Sequence, residues 1–271
     1  MEIARKEDQG HQTVTYAAGP ARDFYLAGSQ RFTRVSKTIG EVTLNSYGVE
    51  EFPESMQAAL SDAERALQIY DQRLGDYPYS ELDVVSTPMQ ALGVEYPGVA
   101  AIALAVYDPE AVISGTPAQA LRESVIAHEI AHQWFYNVVG NDQTNEPWLD
   151  EALVQYLVWD YYVDAYGQNA AASYRQSWFA RWDRVERAKT PVGMVADAYE
   201  PKAYSAIVYG RGPMFIEALA KEMGREAFDA FLRDYYTTNM WGIATGKIFR
   251  QLAEKHCACD LTAVFEEWVY P

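Results

Sequence analysis

The sequence is poor in cysteine, and this removes two classes of protein. Only two of its 271 residues are cysteine, Cys257 and Cys259, with a single residue between them. Two cysteines exclude a disulfide scaffold, a Cys-x-Cys bridge would be strained, and a metal site built on the pair would lack further ligands. We therefore expect both residues to behave as small hydrophobic side chains.

Positive charge is also scarce. The chain has 22 Lys and Arg against 38 Asp and Glu, which gives a formal net charge of −16. Binding to nucleic acid requires clustered cations, so we exclude nucleic acid as a partner. An acidic surface keeps a protein soluble, and it is also compatible with a substrate that carries a positive amino group.

Long hydrophobic runs are missing. No apolar stretch approaches the length of a membrane span, and the polar N-terminus predicts that there is no signal peptide. The protein is then either cytosolic or trimmed. A chain of 271 residues exceeds what one core usually needs, so we expect one large domain or two lobes.

The pattern along the chain changes near residue 110. Before it, alternating or β-branched segments predict strands at 11–16, 24–27, 41–47, 82–86 and 99–107, with one helix at 54–74. After it, helical spacing predicts helices at 118–137, 145–166 and about 170–188, 201–223, 225–238, 244–256 and 261–269. The expected fold class is α+β, with a small β-rich lobe, a mainly α-helical lobe and a cleft between them.

Two of the four histidines lie four residues apart on a predicted helix. His128 and His132 therefore project from one face and can bind one metal ion. Glu129 lies about 100° around the helix, where it can reach a metal-bound water but not the metal. The alternative is that both histidines are satisfied core residues of an apolar helix, but a chance His-Glu-x-x-His is improbable with so few histidines.

A catalytic zinc site usually takes three protein ligands and leaves one position open. Glu151 supplies the third ligand in this interpretation, because Gly140 and Asn141 allow the next helix to fold back on the first. Zinc would acidify its water and polarise a scissile carbonyl, and Glu129 would act as the general base.

The motifs HEIAHQWF at 128–135 and WLDEA at 148–152 resemble those of the M1 family of zinc aminopeptidases. Ala152 stands where that family has glycine. The resemblance implies a gluzincin with a thermolysin-like catalytic domain, one Zn²⁺ per chain in the cleft, and a peptide substrate with a free N-terminus.

The segment 93–98, GVEYPG, lies where the family has its Gly-x-Met-Glu-Asn strand. The resemblance implies that Gly93, Glu95 and Tyr96 contact substrate, with Glu95 binding the free α-amino group. A carboxylate that fixes an ammonium near the metal would set the cut after one residue. Tyr96 cannot make the amide contacts of the family's Asn, and the alternative for Glu95 is an ordinary turn residue.

Tyr209, in the segment YGRG, matches the family's catalytic tyrosine. The resemblance implies that its hydroxyl stabilises the oxyanion of the tetrahedral intermediate. Tyr204 lies five residues earlier, about one and a half helical turns, and we expect it to line the same cleft. The alternative for Tyr209 is a packed helix tyrosine, one of 20 in the chain.

The resemblance runs from about residue 11 to the C-terminus. It implies that residues 1–48 are the end of an N-terminal β-domain with linking strands, and that 49–271 form the catalytic domain, β-rich to about 110 and helical over 111–271. The family's missing flanking domains are then expected to pack on this one. Many bacterial relatives are exported or membrane-tethered, so we favour an extracytoplasmic or membrane-tethered location for the full-length protein.

Two other functions fit the same residues. One is a zinc endopeptidase of the same fold, which would have no use for the ammonium contact of Glu95. The other is a peptide-binding module that has kept the fold without turnover, although such a module would not need the general base Glu129.

Overall fold

A computed structural model describes residues 2–200 and 202–270 of the chain, which divides into two compact units. The first unit comprises the residues up to 64 together with 78–126, and the second comprises 65–77 and the residues from 127 onward. The first unit contains the β-sheets and the second is helical, so the predicted α+β class, β-rich first and helical afterwards, is confirmed.

The first unit is built on a five-stranded mixed sheet. A separate antiparallel hairpin, β1 (Glu2–Asp8) and β2 (His11–Tyr16), precedes it. The sheet strands are β3 (Phe32–Ile39), β4 (Val42–Val49), β5 (Glu81–Thr87), β6 (Gly93–Tyr96) and β7 (Val99–Ala103). Their order is β3-β4-β5-β7-β6, with β4, β5 and β7 parallel to one another and both outer strands antiparallel.

Helix α1 (Pro53–Leu74) connects the parallel strands β4 and β5, as a crossover connection must. Its apolar residues recur at helical spacing and are buried, as are Leu44, Val84 and Ile102 of the sheet. Strand and helix approach closely at Gly48, where an added Cβ would lie 2.7 Å from Met56 Cγ. The helix begins in the first unit and ends in the second.

Short elements complete the first unit. A single helical turn, α2 (Leu104–Tyr107), directly follows β7. A two-residue pair, β8 (Val112–Ile113) and β9 (Thr116–Pro117), then leads into helix α3 (Ala118–Ala131). This helix starts in the first unit and passes into the second after residue 126, so the motif residues His128 and His132 belong to the second unit.

The second unit is a helical assembly around α4. Its further helices are α4 (Trp148–Tyr166), α5 (Gln168–Trp182), α6 (Ala203–Ala206), α7 (Gly212–Met223), α8 (Arg225–Asn239), α9 (Gly246–Cys257) and α10 (Thr262–Trp268). Helix α4 packs against α5 and α7 and is buried around most of its circumference. A helix that is covered on all sides has apolar residues on all sides, which explains the run of Leu, Val, Ala and Tyr residues along α4.

Several predicted elements differ from the structure. Residues 24–27 do not form a strand: Phe24 and Leu26 are exposed, and no strand among the described residues pairs with them. Strands β1, β3, β8 and β9 were not predicted, because they are short or largely exposed and carry little hydrophobic alternation. The predicted strand at 99–107 ends at Ala103 and the predicted helix at 118–137 ends at Ala131.

The expectation for the cysteines is wrong. Cys257 and Cys259 form a disulfide at the end of α9, with Cα atoms 5.1 Å apart. The intervening Ala258 adopts a left-handed conformation (φ 50°), which turns the chain so that the two side chains can meet. Within residues 2–200 and 202–270, no helix has both the length and the apolarity needed to cross a lipid bilayer.

Candidate metal centre

The site is assembled within the second unit, from the end of α3 and the start of α4. His128 lies in the last turn of α3, and His132 follows its final residue while still donating its N–H to the His128 carbonyl. Their Nε2 atoms lie 3.2 Å apart. The i, i+4 spacing therefore does place both imidazoles on one face, as predicted.

Glu151 completes a triangle with the two histidines. Its Oε2 lies 3.1 Å from His128 Nε2 and 3.5 Å from His132 Nε2. Tetrahedral zinc with bonds of roughly 2.0–2.2 Å to nitrogen and oxygen sets its ligand atoms about 3.3 Å apart. The three side chains therefore have the spacing and the donor chemistry of one face of a tetrahedral zinc site.

The neighbouring turn holds His132 in one tautomer. Its Nδ1 lies 3.0 Å from the Phe135 carbonyl, and since a carbonyl oxygen can only accept, the proton belongs on Nδ1. His132 therefore turns Nε2, the ring nitrogen that would bind a metal, towards Glu151. Asn137 holds the same turn through hydrogen bonds from its N–H and its Nδ2 to the His132 carbonyl, at 3.0 and 3.2 Å. Such partners orient a metal ligand.

Local sequence also explains the position of Glu151. Pro147 precedes the first turn of α4, where a missing N–H costs nothing, and acidic residues suit the positive end of the helix dipole. Trp148 anchors this turn: it is fully buried, and its ring meets those of Phe215 and Phe249 edge-on at 5.5 Å. Asp150 is buried as well, and its Oδ2 accepts a hydrogen bond of 2.7 Å from Gln143.

The histidines determine the charge of Glu151. Burial alone would raise the pKa of its carboxyl group, but hydrogen bonds from His128 and His132 and their positive charge outweigh burial and hold the pKa well below its ordinary value. Glu151 is therefore an anion beside two imidazoles, as a cation-binding site requires.

Glu129 lies on α3 next to this triangle and is buried. A carboxylate oxygen of Glu129 lies within 4.8 Å of a ring nitrogen of His132. The next position on the helix thus points beside the ligands, as expected for a group that handles a proton near the metal.

Tyr209 lies in a break in the predicted helix at 201–223. The chain there forms α6, then a π-helical turn (Ile207–Arg211), then α7. Two glycines let this turn pack closely: a Cβ on Gly210 would lie 2.9 Å from the Trp178 carbonyl, and one on Gly212 would lie 2.7 Å from Ala152 Cβ. π-Helical turns are rare and frequently occur at functional sites.

The ring of Tyr209 lies beside the ligands, with its centroid 6.0 Å from that of His128. Burial raises the pKa of Tyr209 well above its ordinary value, and the negative charge of Glu151 acts in the same direction. The phenol therefore keeps its proton at neutral pH and can donate a hydrogen bond. Tyr204 meets Tyr209 edge-on at 6.1 Å, and Tyr199, which was not predicted, meets Tyr204 at 5.7 Å.

The remaining predicted site residues lie in the first unit. Gly93, Glu95 and Tyr96 form strand β6, at the edge of the sheet, and all three are half-buried. The ring of Tyr96 stacks on that of Tyr25, with centroids 4.3 Å apart and planes 7° from parallel. Their role in substrate binding stays a prediction.

Besides Tyr199, two residues near the site were missed. Tyr136 has a positive φ of 119° and places its ring 6.5 Å from that of His132. Arg211 is buried within the π-helical turn. Nothing in the sequence around Tyr136 indicates its conformation, whereas an arginine between two glycines beside the predicted catalytic tyrosine was a signal that could have been followed for Arg211.

A family model and the curated relatives point to the same family of proteins. The Peptidase family M1 domain matches the chain over residues 58–268. "Aminopeptidase 2" of Candida albicans is 23% identical over 96% of this chain and 29% of its own length, and "Probable aminopeptidase 2" of Sulfurisphaera tokodaii is 22% identical over 97% and 35%. The chain thus spans about a third of the length of these relatives.

Solved structures share the fold. An M1 zinc metallopeptidase from Deinococcus radiodurans superposes with a TM-score of 0.73 at 21% identity, over 100% of this chain and 59% of that one. A mutant of an M1 zinc metallopeptidase from the same organism, solved with a Tyr-Ser-Ala substrate, also gives a TM-score of 0.73, at 20% identity over 99% and 59%. At these identities the likeness concerns the fold.

Proposed function

The chain belongs to peptidase family M1, and from this premise we propose that it is a zinc-dependent aminopeptidase, which hydrolyses the N-terminal peptide bond of peptides. The observation that carries the proposal is the triangle of His128, His132 and Glu151, whose donor atoms lie 3.1–3.5 Å apart. The names of the relatives support the reaction class, since two of them are called aminopeptidases.

His128, His132 and Glu151 would hold one Zn²⁺, which when bound would polarise the scissile carbonyl and acidify a water. Glu129 takes the proton of the attacking water and delivers it to the leaving amine. Its buried position beside His132 supports this role, because a carboxylate shielded from bulk solvent is a stronger partner for a transferred proton.

Tyr209 donates its phenol proton as a hydrogen bond to the oxygen that becomes negative in the tetrahedral intermediate. Its raised pKa favours this role, since the hydroxyl must stay protonated to donate. The ring of Tyr209 lies 6.0 Å from that of His128, centroid to centroid, and this proximity to a proposed ligand supports the role.

Glu95 binds the free α-amino group of the substrate, which restricts cleavage to the first peptide bond. The carboxylate lies on an edge strand, in the segment that stands where the family has its ammonium-binding motif, with Val94 and Tyr96 in place of the family's Met and Asn. A charge-assisted contact of this kind positions the substrate and contributes to rate through orientation.

Two substitutions separate metal binding from chemistry. Glu151→Gln removes a charged ligand, and we expect zinc content measured by elemental analysis to fall sharply, together with activity. Glu129→Gln keeps the ligands, so zinc content should stay near one per chain while kcat falls roughly 10²- to 10⁴-fold. A metal-free wild-type protein that hydrolyses nothing would instead support the peptide-binding module.

A third substitution tests the exopeptidase assignment. Glu95→Ala should lower kcat/KM for aminoacyl anilides far more than for N-blocked peptides, because only the former carry the ammonium. Glu123→Ala, a change on α3 outside the proposed site, is the matched control. Equal losses on both substrate types would favour the endopeptidase.

A further inference from the structure

Arg211 is a buried arginine that follows Tyr209 by two residues, and only 2% of its surface is exposed. Its guanidinium donates to three backbone carbonyls. Nη1 reaches Thr190 at 3.2 Å and Trp268 at 2.8 Å, and Nη2 reaches Glu267 at 2.8 Å. It also stacks over the Trp268 ring, 4.6 Å from the centroid. Removing a guanidinium from water costs free energy, and these hydrogen bonds and the ring contact offset that cost.

Two of the three acceptors lie at the C-terminal end of α10. The last carbonyls of a helix lack partners within the helix and carry its negative dipole end, so a cation is favoured there. The same segment also accepts from a loop, with Val192 N–H bound to the Trp268 carbonyl and Gly193 N–H to the Val269 carbonyl. Arg211 therefore joins the π-helical turn, this loop and the end of α10.

These contacts bear on Tyr209 because of where the turn lies. A π-helical turn is not an intrinsically favoured conformation, so external contacts must select it. Gly210 meets α5, Gly212 meets α4, and Arg211 reaches α10. Tyr209 thus points towards the ligands from a backbone that is held from three directions.

We propose that Arg211 is a positioning residue for Tyr209: by fixing the π-helical turn to the end of α10, it holds the phenol where an oxyanion forms. This inference rests on the proposed catalytic role of Tyr209. The guanidinium of Arg211 donates to backbone carbonyls and not to the His128, His132 and Glu151 triangle, so its effect is exerted through the backbone it shares with Tyr209.

A double-mutant cycle on the full chain tests this. Tyr209→Phe should lower kcat roughly 10²- to 10³-fold, as loss of an oxyanion donor does. Arg211→Met should lower kcat by roughly 10- to 100-fold, with KM and zinc content little changed, because misplacement of a catalytic group affects the transition state most. The double variant should be no slower than Tyr209→Phe alone, since there is then no hydroxyl left to position.

The matched control is Arg250→Met, which releases the other end of the same helix. Arg250 donates to Thr262 Oγ1 at 2.5 Å and lies over the Phe265 ring at 5.4 Å. We expect it to lower the melting temperature but to leave kcat within about twofold. Arg211→Lys keeps the charge with fewer aligned donors and should recover part of the loss. If Arg211→Met fails to fold, the lysine variant carries the same cycle.

Three results would overturn the inference. The first is a double variant in which the two losses multiply, which means that Arg211 acts independently of the hydroxyl. The second is an Arg250→Met variant as slow as Arg211→Met, which means general loosening of α10. The third is full activity of Tyr209→Phe, and this single variant shows whether the catalytic role of Tyr209 has failed rather than the role of Arg211.

Discussion

The backbone conformation of Tyr136, a residue beside the site, costs the folded state free energy. Its φ of 119° lies in the region that favours glycine, and a bulky side chain there is a true outlier. The residue directly follows the carbonyl that fixes the tautomer of His132. Such conformations cost about 1–3 kcal/mol and persist where the surroundings enforce them. The strain at Tyr136 therefore accompanies the turn that orients His132.

The strain can be measured by two substitutions at this position. Tyr136→Gly and Tyr136→Ala both remove the ring, but only glycine adopts a positive φ without cost. We expect the glycine variant to be more stable than the alanine variant by about 1 kcal/mol or more, despite the greater flexibility of glycine in the unfolded chain. Urea unfolding of the two proteins gives the difference. Equal stabilities would mean that the backbone at Tyr136 is not strained.

Individual residues also show which features of the site could be predicted from the sequence and which could not. The grouping of His128, His132 and Glu151 could be predicted, because helical spacing and ligand chemistry depend on the residue types themselves. The conformation of Tyr136 and the bonds of Arg211 could not, because they depend on carbonyls brought together by the fold. The Cys257–Cys259 disulfide was missed for the same reason, because the residue types do not predict the left-handed conformation of Ala258.

Among the elements, α4 packs closely against the start of α7. Ala152, one residue after Glu151, lies where a Cβ on Gly212 would come within 2.7 Å. Ala152 stands where the family pattern has glycine, so its methyl group occupies the space that a side chain at 212 would need. The alanine at 152 is compatible with the fold because position 212 is glycine.

This contact predicts a compensating pair. Gly212→Ala should destabilise the protein by about 1–3 kcal/mol, as overpacking does, and displace the turn that carries Tyr209. Ala152→Gly in the same chain should restore much of that loss, because it removes the opposing methyl group. Thermal unfolding of both variants measures this, with Gly28→Ala, where an added Cβ meets nothing within 4 Å, as the control. No rescue by Ala152→Gly would contradict the contact.

At the same scale, the sequence predicted long helices better than strands. Helix α1 was recovered within one residue because an amphipathic period persists over its 22 residues. Strand β3 was missed because half of its residues are exposed and none is buried. The predicted helix at 201–223 was right in overall extent, but no propensity signals a π-helical turn in its middle.

The molecule as a whole is strongly acidic, with a net charge of −16. One of its carboxyl groups, that of Asp83, has a raised pKa. Asp83 lies on β5, where burial raises its pKa to about 6 although Asn45 donates to its Oδ1 at 2.7 Å. The folded chain therefore binds a proton here that the unfolded chain has already lost. Its contribution to stability is full below about pH 4 and is lost as pH rises through 6.

Asp83→Asn tests this linkage. The variant should be more stable than the wild type at pH 8, by up to about 3 kcal/mol and by less if solvent reaches the side chain, and the advantage should vanish near pH 4. Urea unfolding at pH 4, 6 and 8 measures it. Glu226→Gln removes one charge from an exposed position and corrects for net charge. A stability difference that does not vary with pH would show that Asp83 titrates normally.

The end of α10 has a practical consequence for handling the protein. The carbonyls of Glu267 and Trp268 both accept from Arg211, so the last described turn of the chain is bonded directly to the segment that carries Tyr209. A purification tag or fusion partner joined close behind Val269 would lie next to these hydrogen bonds. An activity assay on a C-terminally tagged protein thus needs an untagged or N-terminally tagged reference. Without it, low activity caused by a linker that is too short would be attributed to the enzyme itself.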